Sequence, residues 1–67
     1  MNAAERMILF VVGETPGANF GHVSVTTRYA TAGLIRTLND LVRRNFIVEI
    51  DGRYTLQRGV KKALRSL

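Results

Sequence analysis

The pair Asp51-Gly52, which lies between two short runs of strand-forming residues, constrains the fold of this chain more than any other feature. Asp-Gly is a strong signal for a two-residue hairpin turn, because both central residues of that turn require positive φ angles. The run before it is FIVEI, residues 46–50, and the run after it is RYTL, residues 53–56. The sequence therefore predicts a β-hairpin over residues 46–56.

The segment before the hairpin, residues 31–44, has a helical period. At about 100° per residue its apolar side chains fall within an arc of roughly 120°. These side chains are Leu34, Ile35, Leu38, Leu41 and Val42. Asn45 follows at a position where helices commonly end in the left-handed conformation, which Asn tolerates well. We therefore predict an amphipathic helix that leads directly into the hairpin.

The first apolar segment, AAERMILFVV at residues 3–12, is compatible with either a helix or a buried strand, because a short apolar run has no decisive period. Asn2 and Glu5 resemble a capping box, which favours the helix. On that helix one face carries Ala4, Met7, Ile8 and Val11, and two large side chains, Leu9 and Phe10, fall outside it. This excess of apolar surface suggests a second contact, and we expect a homodimer formed through the N-terminal segment.

Two further segments have weaker signals. GETPGANFG, residues 13–21, holds three glycines and the only proline and is predicted to be a loop. In HVSVTTRYA, residues 22–30, Val23 and Val25 alternate with polar residues, which indicates a short strand.

The C-terminal segment, residues 57–67, is predicted to form a second amphipathic helix. Its apolar face carries Val60, Leu64 and Leu67, with Ala63 beside them. Its other face carries Arg58, Lys61, Lys62 and Arg65, with no acid nearby in the sequence.

Length and charge restrict the class of protein. A chain of 67 residues forms at most one domain, residues 1–67, with a small core. Its net charge of +5 favours an acidic partner, either nucleic acid or an anionic membrane surface. Residues 28–67 hold nine of the ten basic residues against three acids, so we expect this part to meet the partner.

Several classes are disfavoured by composition. The chain has no cysteine and one histidine, which leaves no disulfide framework and no zinc site. Its acids are scattered singly, so we expect no enzymatic activity. The glycines of residues 13–21 do not match a nucleotide-binding loop, and neither a cofactor nor a small-molecule ligand is expected. The apolar run at residues 7–12 is too short to cross a bilayer, and we expect a soluble intracellular protein.

The segment LIRTLNDLVRRNFIVEIDGRYTL, residues 34–56, resembles the C-terminal half of a winged helix-turn-helix domain. In that family a recognition helix ends before an aliphatic pair, and here Asn45 replaces the usual glycine before Phe46-Ile47. The resemblance implies an α+β fold, a small winged helix-turn-helix domain with a two- or three-stranded antiparallel wing. It also implies a helix within residues 19–29. These residues include few helix formers, so we expect either a short irregular helix or a strand there.

The resemblance further implies that helix 31–44 enters the major groove of double-stranded DNA, with hairpin 46–56 as the wing. The expected function is that of a small transcriptional regulator, or of a related accessory factor encoded by a phage, virus or plasmid. The candidate DNA-binding residues are Arg28, Tyr29, Arg36, Thr37, Asn39, Arg43, Arg44, Arg53, Arg58, Lys61, Lys62 and Arg65.

Several of these assignments have a structural alternative. Asp40 is spaced for surface ion pairs with Arg36, Arg43 and Arg44. Arg53 could pair across the hairpin with Glu49 or Asp51. The cations of the last segment could be ordinary solubilising charge.

Two other functions stay open at the level of the sequence. A winged-helix module could mediate protein–protein assembly in a larger nucleoprotein or secretion complex, with charge steering it to an acidic partner. A basic domain of this size could also bind structured RNA or the ribosome.

Overall fold

The computed structural model describes residues 1–65, and within that range the chain forms four α-helices and a three-stranded antiparallel sheet. The elements in chain order are α1 (Ala3–Glu14), β1 (Ala18–Asn19), α2 (Phe20–Thr27), α3 (Thr31–Arg43), β2 (Ile47–Ile50), β3 (Arg53–Leu56) and α4 (Val60–Arg65). The predicted α+β class is confirmed. The sheet order β1-β3-β2 is compatible with a winged helix but not diagnostic of one.

The first segment is a helix, and its start is fixed by the predicted capping box. Asn2 Oδ1 accepts the N–H of Glu5 at 2.8 Å, and Glu5 Oε1 accepts the N–H of Asn2 at 2.9 Å. The buried face differs from the prediction, because Leu9 is fully buried whereas Met7 is 45% exposed. The physical reason is that α1 packs against α2, α3 and β3 together, which turns a wide arc of the helix inward.

The prediction of a short strand within residues 22–30 was wrong, because Val23 and Val25 lie in helix α2. Asn19 caps the helix, since its Oδ1 accepts the N–H of His22 at 2.8 Å. Val23 is fully buried and Val25 is 77% exposed, so the two do not share a face as they would in a strand. The cap and the burial of Val23 override the low helix propensity of a β-branched segment. A helix therefore occupies this segment, which the sequence left open between a short irregular helix and a strand.

The segment predicted as a loop is only partly irregular. Gly13 and Glu14 continue α1, and Ala18–Asn19 pairs antiparallel with Tyr54 and Arg53 of β3. The N–H of Gly17 donates to the carbonyl oxygen of Tyr54 at 2.8 Å, which holds this short strand on the sheet. Its pairing partner lies far along the chain, so local composition could not reveal it.

Helix α3 and the hairpin agree closely with the prediction. Leu34, Leu38 and Leu41 are buried, whereas Ile35 is 45% exposed and lies at the edge of the inner face. Asn45 adopts the predicted left-handed conformation, with a φ of 65°.

The hairpin turn follows directly. Asp51 and Gly52 have φ angles of 52° and 77°, as the two-residue turn requires. Strand β2 begins at Ile47, one residue later than predicted, and Ile50 pairs with Arg53 next to the turn.

Helix α4 begins at Val60 and covers less of the chain than the predicted segment 57–67. Val60 and Leu64 are half-buried as expected, but Ala63 is exposed, and the predicted position of Leu67 lies outside the described residues. The core itself is formed by Ile8, Leu9, Val11, Val12, Ala18, Val23, Leu34, Leu38, Leu41 and Ile47. No helix in residues 1–65 has the length and apolar character needed to cross a membrane.

Candidate nucleic-acid interface

The outer face of α3 is a stripe of exposed side chains opposite the buried leucines. At about 100° per residue, positions spaced by four, three and four residues align on one side of a helix. These positions hold Ala32, Arg36, Asn39 and Arg43, all of which are exposed. Among residues 1–65, the side chains of Arg36 and Asn39 form no hydrogen bond or ion pair, so their donors and acceptors are available to a ligand.

Thr37 and Tyr29 lie beside this stripe and are half-buried. They line one open pocket of about 240 Å³ together with Ala4, Ala30, Gly33 and Leu34. Tyr29 packs partly against the core, and its backbone N–H donates to Thr27 Oγ1 at 3.3 Å. The two candidates are therefore brought together, at a pocket whose lining also includes Ala4 of α1.

The N-terminal end of α3 presents its backbone to solvent. Ala30 occupies the N-cap position and supplies no side-chain hydrogen bond, so the first-turn N–H groups have no side-chain acceptor. Arg28 is exposed two residues earlier, in the left-handed conformation that ends α2. A cation and open N–H groups thus lie near each other along the chain at this end of the helix.

The C-terminal end of α3 is different, because its arginines are held by acids. Asp40 accepts a hydrogen bond from Arg43 Nη2 at 2.8 Å, and it forms an ion pair with Arg44, whose Nε lies 2.9 Å from Asp40 Oδ2. Arg44 also pairs with Glu5 of α1 and lies over the ring of Phe46, 5.3 Å from its centroid. The expected ion-pair alternative is confirmed for Arg43 and Arg44, and the described contacts include no pair between Asp40 and Arg36.

The two carboxylates of this cluster have altered acidity. Hydrogen bonding from Arg43, together with the nearby charge of Arg44, lowers the pKa of Asp40. The backbone N–H of Asn2 and then Arg44 lower the pKa of Glu5. Both carboxylates therefore stay ionised at neutral pH and hold the arginines in place.

Accessibility separates the two arginines. The side chain of Arg43 is 79% exposed and that of Arg44 is 40% exposed. Arg43 can exchange an exposed pair with Asp40 for another anion, whereas Arg44 has three partners within the fold. Arg44 thus mainly connects the C-terminal end of α3 to α1.

The hairpin arginine also has an internal partner. Arg53 Nη1 donates to the carbonyl oxygen of Gly17 at 3.1 Å, which joins the hairpin to the segment before β1. The expected alternative of a pair with Glu49 or Asp51 was wrong, because Glu49 instead accepts the N–H of Gly52 at 2.7 Å. Burial, and then the charge of Glu49, raise the pKa of Tyr54, in agreement with its half-buried position.

The four C-terminal cations do not form a single outward face. Lys61 Nζ lies 3.4 Å from the carbonyl oxygen of Gly13, where it contacts the C-terminal end of α1. Arg65 lines a groove between α1 and α4, and Arg58 is exposed before α4 begins. Lys62 is exposed on α4.

The twelve predicted residues therefore fall into separate places on the molecule. Arg43 and Arg44 share Asp40, and Tyr29 and Thr37 share a pocket, whereas Arg53 contacts Gly17 and Lys61 contacts Gly13. Sequence reasoning missed Ala32, whose position four residues before Arg36 is a readable signal. It also missed Glu5 as the partner of Arg44, and a separation of 39 residues leaves no sequence signal for that pair.

Residues 1–65 contain no group of three or more acidic, histidine or cysteine side chains placed to hold a metal ion. Comparison of the chain with protein-family models, curated proteins and solved structures finds no match.

Proposed function

We propose that this chain is a winged-helix domain that binds double-stranded DNA and acts as a small transcriptional regulator. In this proposal α3 enters the major groove and the β2–β3 hairpin is the wing. The proposal does not require enzymatic activity or a cofactor.

The observation that carries the proposal is the exposed outer face of α3, where the side chains of Arg36 and Asn39 form no hydrogen bond or ion pair within residues 1–65, on a helix whose inner face is buried. A buried inner face fixes the orientation of the helix, and therefore the side on which these side chains project, which favours readout of base edges. Arg36 can donate two hydrogen bonds to a guanine, and Asn39 can form two with an adenine. Ala32 offers a small apolar contact for a thymine methyl group.

Several charges outside this stripe support contacts to phosphates. Arg43 is exposed at one end of the stripe, and Arg28 lies near the other end in the chain. The net charge of +5 would attract DNA before any specific contact forms. Arg53, Arg58, Lys61, Lys62 and Arg65 are phosphate-contact candidates in this proposal, with Arg53 and Lys61 also engaged within the fold.

The test is a titration of labelled random-sequence duplex DNA at several salt concentrations, with wild type and two variants. Arg36→Ala should weaken binding and reduce the slope of log affinity against log salt by about one. Arg36→Lys is the matched control, because it keeps the charge and should keep the slope while losing the forked hydrogen bonds. Wild-type affinity that is absent at low salt, or unchanged by Arg36→Ala, would refute the α3 interface.

A protein-binding module is the second candidate, and exposed apolar side chains favour it. Ile35 on α3 is 45% exposed, and Ile50 next to the hairpin turn is 66% exposed. Such side chains suit a protein partner better than a phosphate backbone. Absence of DNA binding would favour this module, and stronger competition by duplex RNA than by duplex DNA would favour an RNA ligand instead.

A further inference from the structure

The outer stripe of α3 presents its side chains in a fixed order along the helix axis. Ala32, Arg36 and Asn39 are exposed, and successive members of this series are four and then three residues apart. In an α-helix their directions differ by no more than about 60°, and they lie at about 0, 6 and 10.5 Å along the axis. Three side chains of different chemistry therefore project from one side of α3 at intervals of about one helical turn.

These three side chains differ in the base edge that each can recognise. Among residues 1–65 the side chains of Arg36 and Asn39 form no hydrogen bond or ion pair, so their polar atoms are available. The guanidinium of Arg36 carries only donors, which match the two acceptors, O6 and N7, that guanine presents in the major groove. The amide of Asn39 carries donors and an acceptor, which match N7 and N6 of adenine. Ala32 carries a single methyl group, which can pack against the methyl group of thymine.

Arg43 lies on the same stripe, four residues after Asn39, but it is less able to recognise a base. Its Nη2 donates to Asp40 Oδ1 at 2.8 Å, so part of the guanidinium is already in use beside a negative charge. A two-pronged contact with guanine would compete with that hydrogen bond, whereas a phosphate oxygen can be reached by the other donors of the same group. The part of the stripe that recognises bases therefore ends at Asn39, and Arg43 is left as a backbone contact.

We propose that α3 recognises three successive base pairs, an A·T pair, a G·C pair and a second A·T pair, through Ala32, Arg36 and Asn39 in that order. This inference rests on the proposed function, because it needs α3 to lie in the major groove of duplex DNA. It adds to that function the identity and the order of the base pairs in the target.

The spacing of the three residues sets the spacing of the base pairs. Side chains about one turn apart on a helix in the major groove can reach successive bases, as the contact positions of zinc-finger helices do. The steps of four and three residues in α3 then correspond to one base pair each. Because Arg36 is the middle residue of the series, the G·C pair lies between the two A·T pairs.

The three contacts should differ in strength. Arg36 combines a full charge with two hydrogen bonds, whereas Asn39 forms two neutral hydrogen bonds and Ala32 makes only an apolar contact. Replacement of the central G·C pair by an A·T pair should therefore weaken binding most, by about fivefold or more. Replacement of the pair opposite Asn39 should have a smaller effect, and replacement of the pair opposite Ala32 the smallest.

Selection of bound duplexes from a pool with a randomised segment tests the identity of the central pair. Wild type should enrich a G·C pair with an A·T pair on each side. Arg36→Gln should change the preference at the central pair from G·C to A·T, because the amide of glutamine matches adenine. Arg43→Gln is the matched control, since it removes the same charge from the same stripe. It should weaken binding to all sequences alike and keep the central preference for G·C.

Asn39→Arg tests the spacing in the same selection without loss of positive charge. It should replace the A·T pair beside the central pair by a second G·C pair, so that the enriched element contains two adjacent G·C pairs. Salt-sensitive binding by wild type without any base preference, or a preference that neither Arg36→Gln nor Asn39→Arg changes, would overturn this order of base pairs and leave the proposed function intact. Absence of binding to every duplex at low salt would refute both.

Discussion

Helices α1 and α3 are both amphipathic, yet their outer faces have opposite character. Each contributes three or more fully buried side chains to the same core. Outward, α1 presents Met7 and Phe10, whereas α3 presents Arg36 and Asn39. Because the inner faces of both helices serve stability, the difference lies in what each outer face can bind. An apolar face suits a second protein surface, and a basic polar face suits a nucleic acid.

The two helices are also tied to each other. Arg44, just after α3, pairs with Glu5 in the first turn of α1. Glu5 is itself part of the capping box that starts α1. The N-terminal start of one helix and the C-terminal end of the other are therefore fixed by one carboxylate, while their outer faces stay free.

The largest predicted loss of stability comes from a substitution on the buried face of α3. Leu38→Ala should cost about 2–5 kcal/mol, because it removes a fully buried side chain and leaves a cavity. Urea denaturation would measure this loss, which is a large part of the unfolding free energy of so small a domain. Ile35→Ala on the same helix is the control, and an equal loss there would show that the inner face has been assigned incorrectly.

The second prediction compares the outer face of α3 with the outer face of α1 in DNA binding. Arg36→Ala should lose about 1–3 kcal/mol of DNA-binding free energy. Phe10→Gln should leave binding to a short duplex unchanged, because Phe10 is exposed on α1 and lies outside the α3 stripe. Anisotropy titration of both variants would measure the difference. Equal losses from the two variants would show that the α3 stripe is not the DNA-binding surface.

A smaller loss of stability is expected when the contacts of Arg44 with α1 and α3 are removed. Arg44→Ala should lower Tm, because it removes the contacts with Glu5, Asp40 and the Phe46 ring. Thermal unfolding followed by circular dichroism would measure the change, with Arg36→Ala as a control of equal charge loss. If both variants unfolded at the same temperature, the contacts of Arg44 would not stabilise the fold.

The smallest predicted effect is the pH dependence of the stability that Arg44 contributes. The ordinary pKa values are 4.5 for Glu5 and 3.8 for Asp40, and hydrogen bonds and arginine charge lower the pKa of each in the folded chain. A lowered folded-state pKa stabilises the fold above the unfolded value, and this contribution is lost as pH falls through the folded value. The stability difference between wild type and Arg44→Ala should therefore be full at neutral pH and shrink below about 4.5. A difference that stayed constant into strong acid would exclude this ion-pair mechanism.

The sequence predicted the segments whose conformation is set by neighbours in the chain. The capping box of Asn2 and Glu5, the left-handed Asn45 and the Asp51-Gly52 turn each depend on residues within a few positions, so they could be read directly. The inner face of α3 was also predictable, since its leucines repeat with a clear helical period.

The sequence misled where tertiary contacts outweighed local preference. Alternating Val23 and Val25 resemble a strand, but the Asn19 cap and the burial of Val23 fix a helix. The outer stripe of α3 was largely predicted, whereas Thr37 and Tyr29 proved to be half-buried beside α1. Spacing along one helix gives the direction of a side chain but not which neighbouring element covers it.

Sequence alone thus determined the basic charge, helix α3, the hairpin and most residues of the α3 face, because these follow from composition and short-range geometry. Only the tertiary structure decided that Arg44 reaches Glu5 and that Arg53 reaches Gly17. It also decided that Leu9 turns inward while Phe10 stays exposed. Those choices depend on how separate elements pack, and the free energy of packing is a property of the assembled core rather than of any local stretch of chain.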